Sequence, residues 1–249
     1  FKQKTAYEIV HRDWSSDVCS SDLLMESTTI RRTRSSKKEK VVKEFTQEEQ
    51  IRFLDVLNDF KVPRNRNDYK LQLLIELYSG MRMGEINALR TEDIDLENGL
   101  VHVRATISRG LEYRNFIKDG AKTDAGVRDI PVNKALESVL KEALERVQKN
   151  PFDLIFYDYL KKDLITTSQV NCFFRRICKK AGISKRGQHA LRHTFATRCI
   201  EAGVPAVVLK NWLGHRDIHM TLDIYADVFD SMHHSAMEKF EGHILKLAE

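Results

Sequence analysis

His189-Ala190-Leu191-Arg192-His193, with Leu213-Gly214-His215 and Tyr225 downstream, is the stretch on which the reading of this chain turns. Helical positions three apart share a face, so His189 and Arg192 reach one anion while Leu191, Phe195 and Ala202 are expected to face a core. Gly187 sets the start of this helix at His189. There, unsatisfied backbone N–H groups and the helix dipole already favour negative charge. Gly203 and Pro205 close this helix and open the next.

Working upstream, Arg82 and Lys122 add two cations to the set. A phenol loses its proton only near pH ~10, so Tyr225 becomes a useful nucleophile when cations and a base surround it. The chemistry that suits such company is attack on a phosphodiester, whose transition-state charge must be held by preorganised donors. Arginine serves best, because its planar fork grips two oxygens and keeps its proton. No metal or other cofactor is called for, and His102, His219, His233, His234 and His243 show no ligand spacing.

The rest of the chain reads as mainly α with a small antiparallel three-stranded sheet. Thr46 to Glu49 is a capping box, and Ile51, Leu54, Leu57 and Phe60 follow at helical spacing. A second helix from Tyr69 to Tyr78 stops at Gly80 and leaves Arg82 in a turn. Leu100 to Ile107 alternates as one strand, with Val101, Val103 and Ala105 on one face. Segments 113–117 and 127–132 pair beside it, which brings Lys122 near a hairpin tip, with Lys118 as its rival. Helices are expected at about 133–149, 168–181, 188–202 and 205–213.

Taken singly, each position has a plainer reading. Tyr225 would be a half-buried tyrosine, Arg82 a salt-bridge residue, Lys122 a solvated tip and His193 a structural hydrogen-bonding residue. Taken in order, Gly80-Met81-Arg82-Met83-Gly84-Glu85-Ile86, Lys122 to Arg128 with Ile130-Pro131-Val132, His189-x-x-Arg192, Leu213-Gly214-His215 and Tyr225 resemble the tyrosine recombinases, or phage-type integrases, over about residues 44–229. The resemblance implies that family's catalytic-domain fold and a metal-independent enzyme that joins DNA to Tyr225 through a 3′-phosphate. Arg82 and Arg192 would clamp the phosphate, Lys122 would protonate the leaving oxygen, His189 would act as base and His215 would bind a non-bridging oxygen. It further implies double-stranded DNA as partner, a homotetramer on DNA, an accessory directionality factor, no membrane, and a cytoplasmic, nucleoid-associated protein. The hairpin around Lys122 is similar to those of conjugative-transposon integrases, which points to a mobile element. The family's helical core-binding domain is not recognised in this stretch, which bears on affinity and site selection.

Residues 1–23 stand apart. FKQKTAYEI and DWSSDVCSSDL read as translated constant blocks of a sequencing adapter, so the leader is expected to be non-native, the alternative that composition permits being a natural Ser/Asp-rich disordered leader. Residues 24–43 form a basic linker, 44–230 the catalytic domain and 231–249 a tail helix with Ala236, Met237, Phe240, Ile244 and Leu245 as its stripe. The formal charge is +5, and Arg31 to Lys43 concentrates seven basic residues against the single acid Glu39, as an arm along phosphates would. Outside the leader, Cys172, Cys178 and Cys199 read as reduced and mostly buried thiols.

Two other classes stay open on the sequence. A type IB topoisomerase-like enzyme would use the same chemistry to relax supercoils. A non-catalytic regulator would use Glu201 to Leu213 as a helix-turn-helix, with no need for Arg82, Lys122 and Tyr225 together.

Overall fold

The structure, a computed structural model, describes residues 44–62, 67–110, 115–120, 126–184, 186–224 and 241, all within one compact unit, Val42–Glu249. Among the described residues, seven helices carry most of the fold: α1 (Gln47–Asp59), α2 (Lys70–Ser79), α3 (Met83–Asn87), α4 (Lys134–Glu145), α5 (Thr167–Lys180), α6 (His189–Glu201) and α7 (Ala206–Leu213). The strands are β1 (Ile94–Asp95), β2 (Leu100–Val103), β3 (Ala105–Arg109), β4 (Asn115–Asp119), β5 (Arg128–Pro131), β6 (Tyr157–Asp158) and β7 (Asp163–Leu164).

α2 is the axis of the domain. Leu71, Leu73, Ile75 and Leu77 are buried together with Gln72, Glu76 and Ser79, so the helix is enclosed all round by α3, α4, α5 and α6. Its buried polar groups need internal partners. Gln72 Nε2 donates to Asn87 Oδ1 at 2.9 Å, Asn87 Nδ2 donates to the Ile165 carbonyl at 3.1 Å, and Ser79 Oγ donates to the Ile75 carbonyl at 2.6 Å.

The expected capping box at α1 is present. Thr46 Oγ1 accepts from Glu49 N–H at 3.1 Å, and Glu49 Oε2 accepts from Thr46 N–H at 3.0 Å. The apolar face differs from expectation, because Ile51 is 60% exposed while Phe53 and Leu57 are fully buried. Phe53 takes the inner position because it packs into an aromatic cluster with Phe45 and Phe174, their ring centroids 5.3–6.1 Å apart. The chain just ahead of α1 is stitched to α6: Phe45 N–H donates to Thr194 Oγ1 at 2.8 Å, and Arg198 Nη2 donates to the Phe45 carbonyl at 3.1 Å.

The continuous strand expected over Leu100 to Ile107 is broken at Arg104. Its first half, β2, lies between β1 and β5 in an antiparallel three-stranded sheet, with Val101 opposite Ile130. The second half, β3, leaves that sheet and pairs with β4, Thr106 facing Lys118. The Arg104 carbonyl accepts from Gly120 N–H at 2.9 Å where the two diverge. Alternation runs through the break, but Val101 and Val103 enter the main core, whereas Ala105 and Ile107 join a smaller cluster with Ala88, Leu154 and Leu164. Period-two patterning identifies a strand and its inward face, not the partner on either side.

Two further expectations are corrected. Ala202 is the exposed C-cap of α6 rather than a core residue, and Cys172 is exposed on α5, while Cys178 is buried and Cys199 is partly so. No helix among the described residues is long and apolar enough to cross a membrane.

Candidate active site

Two helix ends build the site. α2 ends at Gly80 (φ 67°) and α7 at Gly214 (φ 63°), both in the left-handed region that a residue with Cβ enters only at a cost. A helix end leaves its last carbonyls without partners and with partial negative charge. Here arginines meet them. The consecutive carbonyls of Trp212, Leu213 and Gly214 accept, respectively, from Arg128 Nε at 2.7 Å, Arg192 Nη2 at 2.6 Å and Arg82 Nη2 at 3.1 Å. Arg192 Nη1 also donates to the Gly80 carbonyl at 2.6 Å, so this one guanidinium joins the ends of both helices.

Arg82 is the N-cap of α3 rather than a turn residue. Its Nη1 donates to Glu85 Oε1 at 2.8 Å and its backbone N–H donates to Glu85 Oε2 at 2.9 Å. Glu85 is held from the other side by Arg128, whose Nη1 and Nη2 donate to Oε1 and Oε2 at 3.1 and 2.7 Å. Burial alone would raise the Glu85 carboxyl; the bonds and charge of Arg128, with Arg82 beside it, outweigh burial and hold it below the usual carboxylate range. Sequence spacing gives Glu85 and Arg128 no role, because it does not reveal that β5 and α3 meet.

His189 opens α6, as expected, and is exposed. Partial enclosure of its ring, then the charges of Arg192 and Arg82, push its pKa below the ordinary value. His215 follows Gly214 and is buried, its Nδ1 2.9 Å from Thr221 Oγ1. Burial, followed by Arg192, Arg82, His193 and Arg128, presses it down to about 4. Both shifts favour the neutral imidazole, most strongly at His215. If the Thr221 hydroxyl donates to Nδ1, the other ring nitrogen carries the proton and points a donor elsewhere. Burial and Arg82 also work against the charge of Arg192, so the pocket is crowded with positive charge.

A cleft of about 380 Å³ opens over Arg82, Glu85, Arg104, Gly126, His215 and Arg216. A second cleft brings His215 together with His193, Met220 and Ile224, the residue before Tyr225. Arg82, His189, Arg192 and His215 are thus gathered in one electrostatic neighbourhood; Lys122 and Tyr225 lie outside the described residues. Lys118 is in β4 opposite Thr106 and is not among the residues lining the first cleft.

Beneath the site, Gln188 Nε2 donates to Glu76 Oε2 at 2.7 Å, and the other Glu76 oxygen is buried without a hydrogen-bond partner among the described residues. Burial pushes this carboxyl up to about 8, against the pull of Gln188 and Arg192. A glutamate in an apolar helix was the only sequence signal for it.

Residues 21–232 match the phage integrase family, and the chain belongs to it. A tyrosine recombinase XerC-like protein of Caldanaerobacter subterraneus subsp. tengcongensis is 28% identical over 187 residues, which cover 68% of this chain and 48% of that protein. The transposase from transposon Tn916 of Enterococcus faecalis is 30% identical over 173 residues, 64% of this chain and 42% of the relative. Among solved structures, the Tn1549 transposon integrase in complex with circular intermediate DNA is 26% identical, with a TM-score of 0.68 over 94% of this chain and 75% of that one. The chain spans about half the length of the curated relatives it matches.

Proposed function

We propose that this chain carries the catalytic machinery of a site-specific DNA recombinase, an integrase of a mobile element, acting through a phosphotyrosine intermediate. Its strongest support is that the consecutive carbonyls of Leu213 and Gly214 accept from Arg192 and Arg82, with His215 next in the chain. Two preorganised guanidiniums and a neutral imidazole suit the non-bridging oxygens of one phosphodiester.

In the proposed step the Tyr225 hydroxyl oxygen attacks phosphorus and the bond to the 5′ oxygen breaks. The phenolic proton passes to neutral His189, Lys122 supplies a proton to the 5′ oxygen, and the DNA is left joined to the enzyme through its 3′ phosphate. One phosphodiester replaces another, so no ATP is consumed. A 5′ hydroxyl from another strand reverses the step. Arg82 and Arg192 bind the phosphate throughout, and His215 donates to one of its oxygens.

The relatives named for transposons support a mobile-element origin, and a neighbour solved with DNA supports double-stranded DNA as partner. A homotetramer on DNA, with an accessory factor setting direction, completes the reading. On a nicked suicide duplex taken from the element's own end, Tyr225→Phe is expected to give no covalent adduct. Arg192→Ala is expected to lose roughly 3–4 kcal/mol of transition-state stabilisation. Cleavage by Arg192→Ala at the parental rate would remove the proposed clamp, and relaxation of any plasmid without site dependence would favour the topoisomerase reading.

A further inference from the structure

We propose that Arg128 is a positioning residue that keeps Glu85 from capturing Arg82, so that the outer edge of Arg82 stays available to a phosphate. This rests on the phosphodiester reading of the site and adds a residue to it.

The donor inventory carries the argument. A guanidinium has five N–H donors. Arg128 turns its donors inward, to both Glu85 oxygens and to the carbonyls of Trp212 and Gly126, and its side chain is only 7% exposed. It has little left with which to meet a substrate. Arg82 differs: its side chain gives one N–H to Glu85 and one to Gly214, is 39% exposed, and has no other partner among the described residues.

Glu85 lies between them, 8% exposed on its side chain, and one carboxylate neutralises one cation. With Arg128 in place, its fork takes both carboxylate oxygens, Arg82 gets a single side-chain bond, and the pair of arginines retains a net positive charge. Without Arg128, the nearest cation for both oxygens is Arg82, whose fork matches a carboxylate as well as it matches a phosphate. Glu85 would then compete with the substrate for the same N–H groups. Arg128 also ties the start of β5 to the end of α7, which fixes the carbonyl row on which Arg82 and Arg192 rest.

The test compares parent, Arg128→Gln, Glu85→Gln and the double variant. The readouts are single-turnover adduct formation on the nicked duplex, duplex affinity by gel shift, and side-chain nitrogen NMR of Arg82 in the DNA-free protein. Arg128→Gln is expected to lower the cleavage rate about 100-fold, the loss that a misplacement of about 1 Å costs, with a much smaller change in affinity. The NMR should show Arg82 guanidinium rotation slowed by a two-pronged grip. The double variant should cleave faster than Arg128→Gln alone, because removing the charge at Glu85 releases Arg82; a purely structural Arg128 predicts the opposite order. A double variant slower than Arg128→Gln, or Arg128→Gln at the parental rate, overturns the proposal. If Arg128→Gln does not fold, Arg128→Lys, which keeps charge and loses the fork, is read in its place with the same expectations. If the parent forms no adduct while Arg82 still changes with Arg128, the recombinase reading fails and the positioning role stands. If the parent cleaves and neither rate nor Arg82 responds, the positioning role fails alone.

Discussion

Gly80→Ala should damage this protein more than its single added carbon suggests. Gly80 ends α2 at φ 67° and ψ 12°, a conformation that costs an alanine roughly 1–2 kcal/mol. A Cβ built there lies 2.3 Å from Phe195 Cδ1 and 3.0 Å from Leu213 Cδ2, whereas carbon atoms in contact sit about 3.5–4.0 Å apart. The Phe195 ring must move by more than about 1 Å, an overpacking that costs about 1–3 kcal/mol. Together these give about 2–5 kcal/mol, or roughly 5–15 °C in Tm for a domain of this size. Gly99→Ala is the control, since Gly99 also has positive φ, at 65°, yet a Cβ there meets nothing within 4 Å. It should show the backbone cost alone. The assay is thermal and urea unfolding of both variants beside the parent. Equal destabilisation of the two would refute the packing argument, and with it the claim that α2 and α7 meet tightly enough to share Arg192.

Three shorter predictions follow from the titrating groups. His215 has a folded pKa near 4, below the ordinary 6.5, so its contribution to stability is complete above pH 6.5 and is lost as pH falls toward 4. That window is worth at most about 3 kcal/mol, and His215→Gln should flatten the fall in Tm between pH 6.5 and 4; parallel curves for parent and variant would count against a buried neutral imidazole. Glu76 has the opposite sign: its pKa is raised from 4.5 to about 8, so it stabilises less as pH rises through that window, and Glu76→Gln should raise Tm more at pH 9 than at pH 5. A uniform shift would mean that Glu76 is charged throughout. Thr221→Val keeps the shape and removes the hydroxyl that meets His215 Nδ1, so adduct formation should slow and stability should fall by about 1–3 kcal/mol, the cost of leaving a buried ring nitrogen unpartnered. An unchanged rate would show that the His215 ring does not depend on Thr221.

The parts of this fold legible in sequence were those written locally. The Thr46–Glu49 box, the glycine ending α2 and the start of α6 at His189 each depend on a few neighbouring residues, and each lies where spacing placed it. The partners of β2 and β3 were not legible, because alternation over Leu100 to Ile107 is the same whether one strand or two lie alongside. Ile51 and Phe53 are both apolar, and only the ring cluster with Phe45 and Phe174 decides which turns inward. Of the candidate site, Arg82, His189, Arg192 and His215 could be picked out by residue type and order, and the fold brings these four into one electrostatic neighbourhood. Glu85, Arg128 and Thr221 did not, since their roles come from contacts such as that of Arg128 with a residue 43 positions away.

The most direct measurement is the identity of the amino acid joined to DNA. Incubating the protein with the nicked duplex, digesting the adduct and sequencing the nucleotide-bearing peptide by mass spectrometry should find Tyr225 linked to a 3′ phosphate, with the arginines of the carbonyl row required for its formation. A link at any other residue, or one that forms at the parental rate in Arg82→Ala and Arg192→Ala, would contradict the account.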